Sequence, residues 1–174
     1  MKASDLKGRA VVTLSDAAKV GQIDDILFDA DFRRVLGLRI KRGAFGKTEA
    51  VTRANVTAIG VDAVTLPGPD VINDEGRHAE LQGASSLGQA QRTKVVTEGG
   101  RLLGTIGELT LDEEARIVVA YTLTVPLLDR LRHREPTFEA TLVMHLGEGG
   151  IMIVPETVGA ALDEQAEGKS TVDA

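Results

Sequence analysis

The 174-residue chain contains no cysteine and no tryptophan. Without thiols there is no disulfide framework, no thiolate metal site and no cysteine nucleophile. One tyrosine and four phenylalanines hold the aromatic content at 3%, too little to form a stacking platform for single-stranded bases. Positive charge is also in deficit. The formal net charge is -6, so the molecule as a whole repels phosphate polymers, and general nucleic-acid binding is not expected. No apolar run approaches the ~20 residues that cross a bilayer. The opening Met1-Lys2-Ala3-Ser4-Asp5 lacks the apolar stretch of a secretory signal. These absences lead to the expectation of a cytoplasmic protein without membrane insertion.

What the chain does contain is strand-forming material. Valine, isoleucine and threonine number 18, 9 and 15, and β-branched side chains fit a pleated, half-buried surface. Nineteen glycines supply turns. A hydrophobic fraction of 43% with 26% charged residues is that of a folded, core-bearing chain.

The chain also repeats itself. Val20-Gly21-Gln22-Ile23-Asp24-Asp25-Ile26-Leu27-Phe28-Asp29 aligns with Leu103-Gly104-Thr105-Ile106-Gly107-Glu108-Leu109-Thr110-Leu111-Asp112, and the match continues without a gap. Arg33 meets Arg116, Val35 meets Val118 and Ile40 meets Leu123, all at a spacing of 83 residues. Upstream, Val11-Val12-Thr13 pairs with Val95-Val96-Thr97; downstream, Ile59-Gly60 pairs with Leu146-Gly147 and Val64 with Met152. Each copy closes on an apolar strand followed by proline, Pro67 or Pro155. Repeats of this order indicate a duplicated unit.

Within each copy the spacing predicts an opening strand (Ala10 to Thr13; Lys94 to Thr97) and a second strand from the shared glycine to the aspartate. A third follows, in which Leu36, Leu38 and Ile40, or Val119, Tyr121 and Leu123, alternate onto one face. In the second strand Ile23 and Ile26, like Ile106 and Leu109, lie three apart. That spacing breaks the period of two and predicts a β-bulge turning both inward. The expected architecture is all-β: two small barrels in tandem with a short C-terminal helix. The expected division is residues 1–70, a linker 71–86, a second domain 87–160, and 161–174 as the helix end and tail.

The order of features resembles the PRC-barrel family. In the first copy the resemblance is carried by Leu6, Gly8, Gly21, Ile23, Asp25, Asp29, Arg33, Leu36, Ile40, Ile59, Gly60 and Val64. In the second it is carried by Gly104, Ile106, Glu108, Asp112, Arg116, Val119, Leu123, Leu146, Gly147 and Met152. The resemblance implies a small barrel that serves in assembly rather than catalysis, with no catalytic residues to carry across.

The residues themselves offer little chemistry. His78 in the linker, His133 in a charged loop and His145 in a strand have no metal-site spacing, and they read as two solvated rings and one strand-borne ring. Asp24, Asp25, Asp29 and Asp31 could chelate a hard cation, but no twelve-residue calcium loop surrounds them. The simpler reading is that Asp29 and Asp112 cap hairpin turns. No Gly-x-Ser-x-Gly elbow occurs, and no Gly-Lys-Ser/Thr follows Gly99-Gly100 or Gly149-Gly150. Neither a catalytic site nor a metal nor a cofactor is expected.

One charged feature recurs at corresponding places in the two copies: Arg39-Ile40-Lys41-Arg42-Gly43-Ala44-Phe45-Gly46-Lys47 and Asp129-Arg130-Leu131-Arg132-His133-Arg134. Lys41, Arg42, Lys47, Arg130, Arg132 and Arg134 are therefore candidate partner-binding residues, set against the alternative of solvated hairpin ends paired with carboxylates. The functional expectation is a non-enzymatic adaptor or scaffold with an unidentified protein partner. A homodimer is a further option, and the alternative function is a binder of an anionic ligand, structured RNA or a ribosomal component through the basic loops.

Overall fold

The computed structural model describes residues 1–43, 46, 48–124 and 135–167. It forms two mostly β units, each built on one sheet. By packing, Met1–Leu87 and Leu111–Val118 make the first unit, and Gly88–Thr110 with Val119–Ala174 the second.

The first unit contains β1 (Ala10–Thr13), β2 (Ala18–Phe28), β3 (Val35–Lys41), β4 (Thr48–Thr52), β5 (Ala58–Ile59), β6 (Ala63–Leu66) and the two-residue β7 (Ser85–Ser86). Its sheet runs β4-β3-β2-β1-β6-β5, with β7 beside the far end of β2. The second unit contains β8 (Lys94–Thr97), β9 (Leu102–Leu111, whose last residue packs in the first unit), β10 (Val118–Thr124, whose first residue packs in the first unit), β11 (Thr137–Glu139), β12 (His145–Gly147) and β13 (Ile151–Val154). Its order, β11-β10-β9-β8-β13-β12, repeats the first strand for strand. In both, the opening and closing strands pair in parallel: Val11 opposite Val64, Val95 opposite Met152. The duplication read from the sequence is thus a duplication of fold.

The predicted bulge is present. Ile23 pairs with Ile40 and Asp25 with Arg39, leaving Asp24 as the extra residue. Ile23 and Ile26 are consequently both buried, as are Ile106 and Leu109. Together with Leu38, Ile40, Val51, Val64 and Leu66, the two isoleucines fill the first interior. Tyr121, Leu123, Met152 and Val154 join Ile106 and Leu109 in the second. Tyr121 packs against Phe138 with ring centroids 5.5 Å apart.

The glycine expected to open the second strand lies inside it, after Ala18 in β2 and after Leu102 in β9, and it has a steric reason. A Cβ on Gly21 would lie 2.6 Å from the Lys41 carbonyl oxygen, and one on Gly104 would lie 2.9 Å from that of Thr124. Neither strand could approach its neighbour so closely with a side chain there.

The third-strand expectation needs correcting at its first position. Leu27 pairs with Gly37 but Phe28 with Val35, so a second irregularity displaces Leu36. Val35, not Leu36, is the buried residue at that end; in the second copy Val118 is buried while Val119 is 39% exposed. The period of two holds only from Leu38 and Tyr121 onward.

The turn aspartates cap as expected. Asp29 Oδ1 accepts the backbone N–H groups of Arg33 and Arg34 (2.8 and 3.0 Å), and Asp112 Oδ1 those of Arg116 and Ile117 (2.6 and 3.0 Å). Within the first unit the two tips pair through equivalent residues: Val35 N donates to Arg116 O and Val118 N to Arg33 O. Buried Arg53 holds the second tip, its guanidinium donating to the carbonyls of Ala115 (3.1 Å), Glu114 and its own neighbour Val56 (3.4 Å).

Two α-helices lie among the described residues, the single turn α1 (Leu87–Ala90) and α2 (Glu156–Glu167), beside short 3-10 turns. α2 is the expected C-terminal helix. It buries Val158 and Leu162 and is tied to the β8–β9 turn by Arg101–Asp163 and Gly99 N–Glu156 contacts (2.6 and 2.8 Å).

Candidate interaction surface

In the first unit, residues 71–86, expected as a linker, lie against the outer face of the sheet. Ala50 on β4 exchanges backbone hydrogen bonds with Asn73 (Ala50 N to Asn73 O 2.8 Å, Asn73 N to Ala50 O 3.1 Å), adding one residue of extra strand. His78 Nε2 lies 2.9 Å from the same Ala50 oxygen. A carbonyl only accepts, so Nε2 carries the proton. The expectation of a solvated His78 is corrected accordingly: the residue is 9% exposed, because a donor placed on a carbonyl can be buried without loss. Leu81 packs against Leu27 and Ala50, with Leu36 and Ala84 at the edge. Gly37 makes the room, since a Cβ there would sit 2.8 Å from Leu81 Cδ2.

Charge fastens the same cover. Arg39 grips Glu75 through two hydrogen bonds (Nε 2.6 Å, Nη2 3.0 Å) and lies 3.8 Å from Asp25, which Lys7 approaches to 3.5 Å. Hydrogen bonding to Arg39 lowers the Glu75 pKa below the usual carboxylate value against an opposing effect of burial, and Glu75 in turn raises that of Arg39.

The corresponding face of the second unit has no such cover among the described residues. The spacing and registers place Thr110 where Leu27 stands, Val119 for Leu36, Ala120 for Gly37, Thr122 for Arg39 and Thr137 for Ala50. Instead of a packed segment there is a groove of about 360 Å³. Its floor is Ala120, Thr137, Phe138 and Glu139; Val158, Ala161 and Leu162 of α2 form one wall, and Leu142 (40% exposed) stands at the rim. Threonines in place of Leu27 and Ala50 let this face meet water, while Val119 and Leu142 leave apolar surface on it.

Compared with known families, residues 1–76 match the PRC-barrel domain. The first unit carries a PRC-barrel domain. The second sheet, with its identical strand order, is consistent with a second such domain. No curated protein matches the chain.

The first unit shows what became of its basic segment. Arg39 is engaged by Glu75 and Asp25, as above. The Arg42 Nε lies 2.8 Å from Glu49, as an ion pair off the line of a hydrogen bond. Lys41 is half-buried at the end of β3, in register with Thr48. Lys47, Arg130, Arg132 and Arg134 lie outside the described residues, as does His133. His145 is exposed on β12.

Two of the aspartates singled out in this domain, Asp25 and Asp29, are committed to separate partners. Asp25 faces Lys7 and Arg39, while Asp29 caps its turn and pairs with Arg34 (3.0 Å). Among the described residues no three His, Asp or Glu side chains converge as a metal site, and no helix is long and apolar enough to cross a membrane.

Sequence reasoning missed Ala120, Thr137, Glu139 and Leu142. Their signal was a difference between the copies: the chain after Pro67 is unlike the chain after Pro155.

Proposed function

We propose that the protein is a non-enzymatic adaptor or scaffold, acting in the cytoplasm, whose second domain receives a protein partner. The units of duplication are read as residues 1–70 and 87–160, joined by 71–86. One observation carries the reading. The outer face that the first domain fills with Leu81 is, among the described residues of the second, a groove bordered by Leu142 and by Val158, Ala161 and Leu162 of α2. An open, largely apolar groove on a fold whose relatives serve in assembly favours a docking role.

Docking of an anionic ligand or RNA through the basic segment has less support, since the Arg39 and Arg42 charges are already balanced by Glu75 and Glu49. The test is co-purification of the tagged full-length protein from its own cell, as wild type and as Leu142→Asp. The expected result is a stoichiometric protein partner with wild type and its loss with Leu142→Asp. Recovery of the protein alone, or retention of the partner by the variant, would overturn the reading.

A further inference from the structure

The second domain's edge strand offers more than a groove. In an antiparallel ladder the backbone groups of alternate residues point to the partner strand and away from it. Leu123 N donates to Pro136 O (2.8 Å), and the register then runs Thr122 opposite Thr137 and Tyr121 opposite Phe138. Pro136 and Phe138 therefore bond inward to β10, whereas the N–H and C=O of Thr137 and Glu139 point outward. β11 ends the sheet order among the described residues. In the first domain the residue at the place of Thr137 is Ala50, and its outward N–H and C=O are both taken by Asn73. From Asn73 the chain continues over the outer face and seats Leu81 against Gly37. The molecule thus displays, on one copy of its fold, the kind of segment that is missing from the other among the described residues.

We infer that β11 and the adjoining groove receive an extended peptide segment of a partner protein, which pairs with the Thr137 and Glu139 backbone and seats a leucine-sized side chain over Ala120. This rests on the adaptor reading and specifies the partner's chemistry. Backbone pairing supplies affinity and the anchor pocket supplies selectivity, as in other strand-addition sites. Ala120 is larger than Gly37 by one methyl group, so the anchor sits less deeply than Leu81 does. Thr122 stands in place of Arg39, so the segment needs no acid corresponding to Glu75. A basic residue would instead face Glu139 at the groove floor.

The test uses the full-length protein and a phage-displayed library of random dodecapeptides as probe. Thr137→Pro removes an outward N–H without touching the β10 ladder, a place where an edge strand tolerates proline. Thr137→Val keeps that N–H and serves as its control, and Ala120→Leu fills the groove by a separate route. Selected peptides are expected to carry a leucine-sized anchor and to slow hydrogen exchange at the Thr137 and Glu139 amides. They should bind Thr137→Val like wild type and weaken by about tenfold or more with Thr137→Pro and Ala120→Leu. Undiminished binding to Thr137→Pro, unprotected amides, or no selected peptide at all would each overturn the inference. So would a wild-type dimer that Thr137→Pro splits, because the occupant would then be a second copy of this chain. A native partner lost with Leu142→Asp but kept by Thr137→Pro would overturn strand addition alone and leave the adaptor reading standing.

Discussion

Leu81 lies where a side chain on Gly37 would have to be: a Cβ at position 37 would come within 2.8 Å of Leu81 Cδ2 and 2.5 Å of the Val51 carbonyl oxygen. The absence of one side chain therefore admits the segment that covers the first domain. Gly37→Ala is expected to destabilise the protein by about 1–3 kcal/mol through overpacking. Leu81→Ala should cost about 2–5 kcal/mol by leaving a cavity. In urea denaturation the double variant should fall short of the sum of the two, because it relieves part of the clash. Strict additivity would show that the two positions do not touch.

Acid should loosen the same cover. The Glu75 pKa is lowered on folding by Arg39, so its stabilising contribution is complete above the unfolded carboxylate value, ~4.3. It is lost as the pH falls through the lower folded value. Glu75 is 34% exposed and Arg39 28%, and solvent screening keeps the contribution on the order of 0.5–1 kcal/mol. Glu75→Gln should therefore be less stable than wild type at neutral pH, with the gap closing below about pH 4. A gap that persists unchanged at pH 3 would place the effect in packing rather than charge.

Arg53 is a larger stake. Its guanidinium is buried against the carbonyls of Ala115, Glu114 and Val56, and burial, with Arg116 nearby, lowers its pKa from the usual guanidinium value. Arg53→Met should cost about 1–3 kcal/mol, the penalty for stranding buried acceptors. Arg53→Lys should recover little, since an ammonium group lacks the planar fork that reaches several carbonyls at once. Denaturation midpoints of the two variants against wild type would show it, and a lysine variant as stable as wild type would contradict it.

Turn capping should be worth nearly the same in both copies. Each aspartate accepts two backbone N–H groups, so Asp29→Ala and Asp112→Ala should each lose about 1–2 kcal/mol. Asp29 also pairs with Arg34, but that arginine side chain is 70% exposed and adds little. A thermal melt in which only one of the two variants is destabilised would argue against equivalent turns.

The basic segments give a further, opposite test. If docking uses the groove, capture of the partner should survive about 0.5 M salt, where screening acts within a few ångströms. It should also survive joint alanine replacement of Lys41, Lys47, Arg130, Arg132 and Arg134. Loss of the partner under either condition would favour an anionic ligand or RNA instead.

Much of the fold was legible because it rests on local pattern. Ile23 and Ile26 announced a bulge by their spacing, Asp29 and Asp112 announced their turns, and the two glycines marked where strands approach closely. The candidate surface was far less legible. His78 and Leu81 stand in a polar, turn-rich stretch that reads as a linker, and neither residue says which backbone it will meet. The charged loops drew attention because charge is conspicuous in sequence, while the Arg42–Glu49 ion pair that offsets it forms across the β3–β4 hairpin.

The sequence by itself determined the duplication and, at the bulge and from Leu38 and Tyr121 onward, the residues that turn inward, since these follow from periodicity and turn chemistry within a few neighbouring positions. Only tertiary structure decided that residues 71–86 cover one copy and that the equivalent face of the other is open among the described residues. The reason is physical: a cover is made by contacts between residues distant in the chain, such as Arg39 with Glu75 and Gly37 with Leu81, and their proximity is a property of the folded sheet.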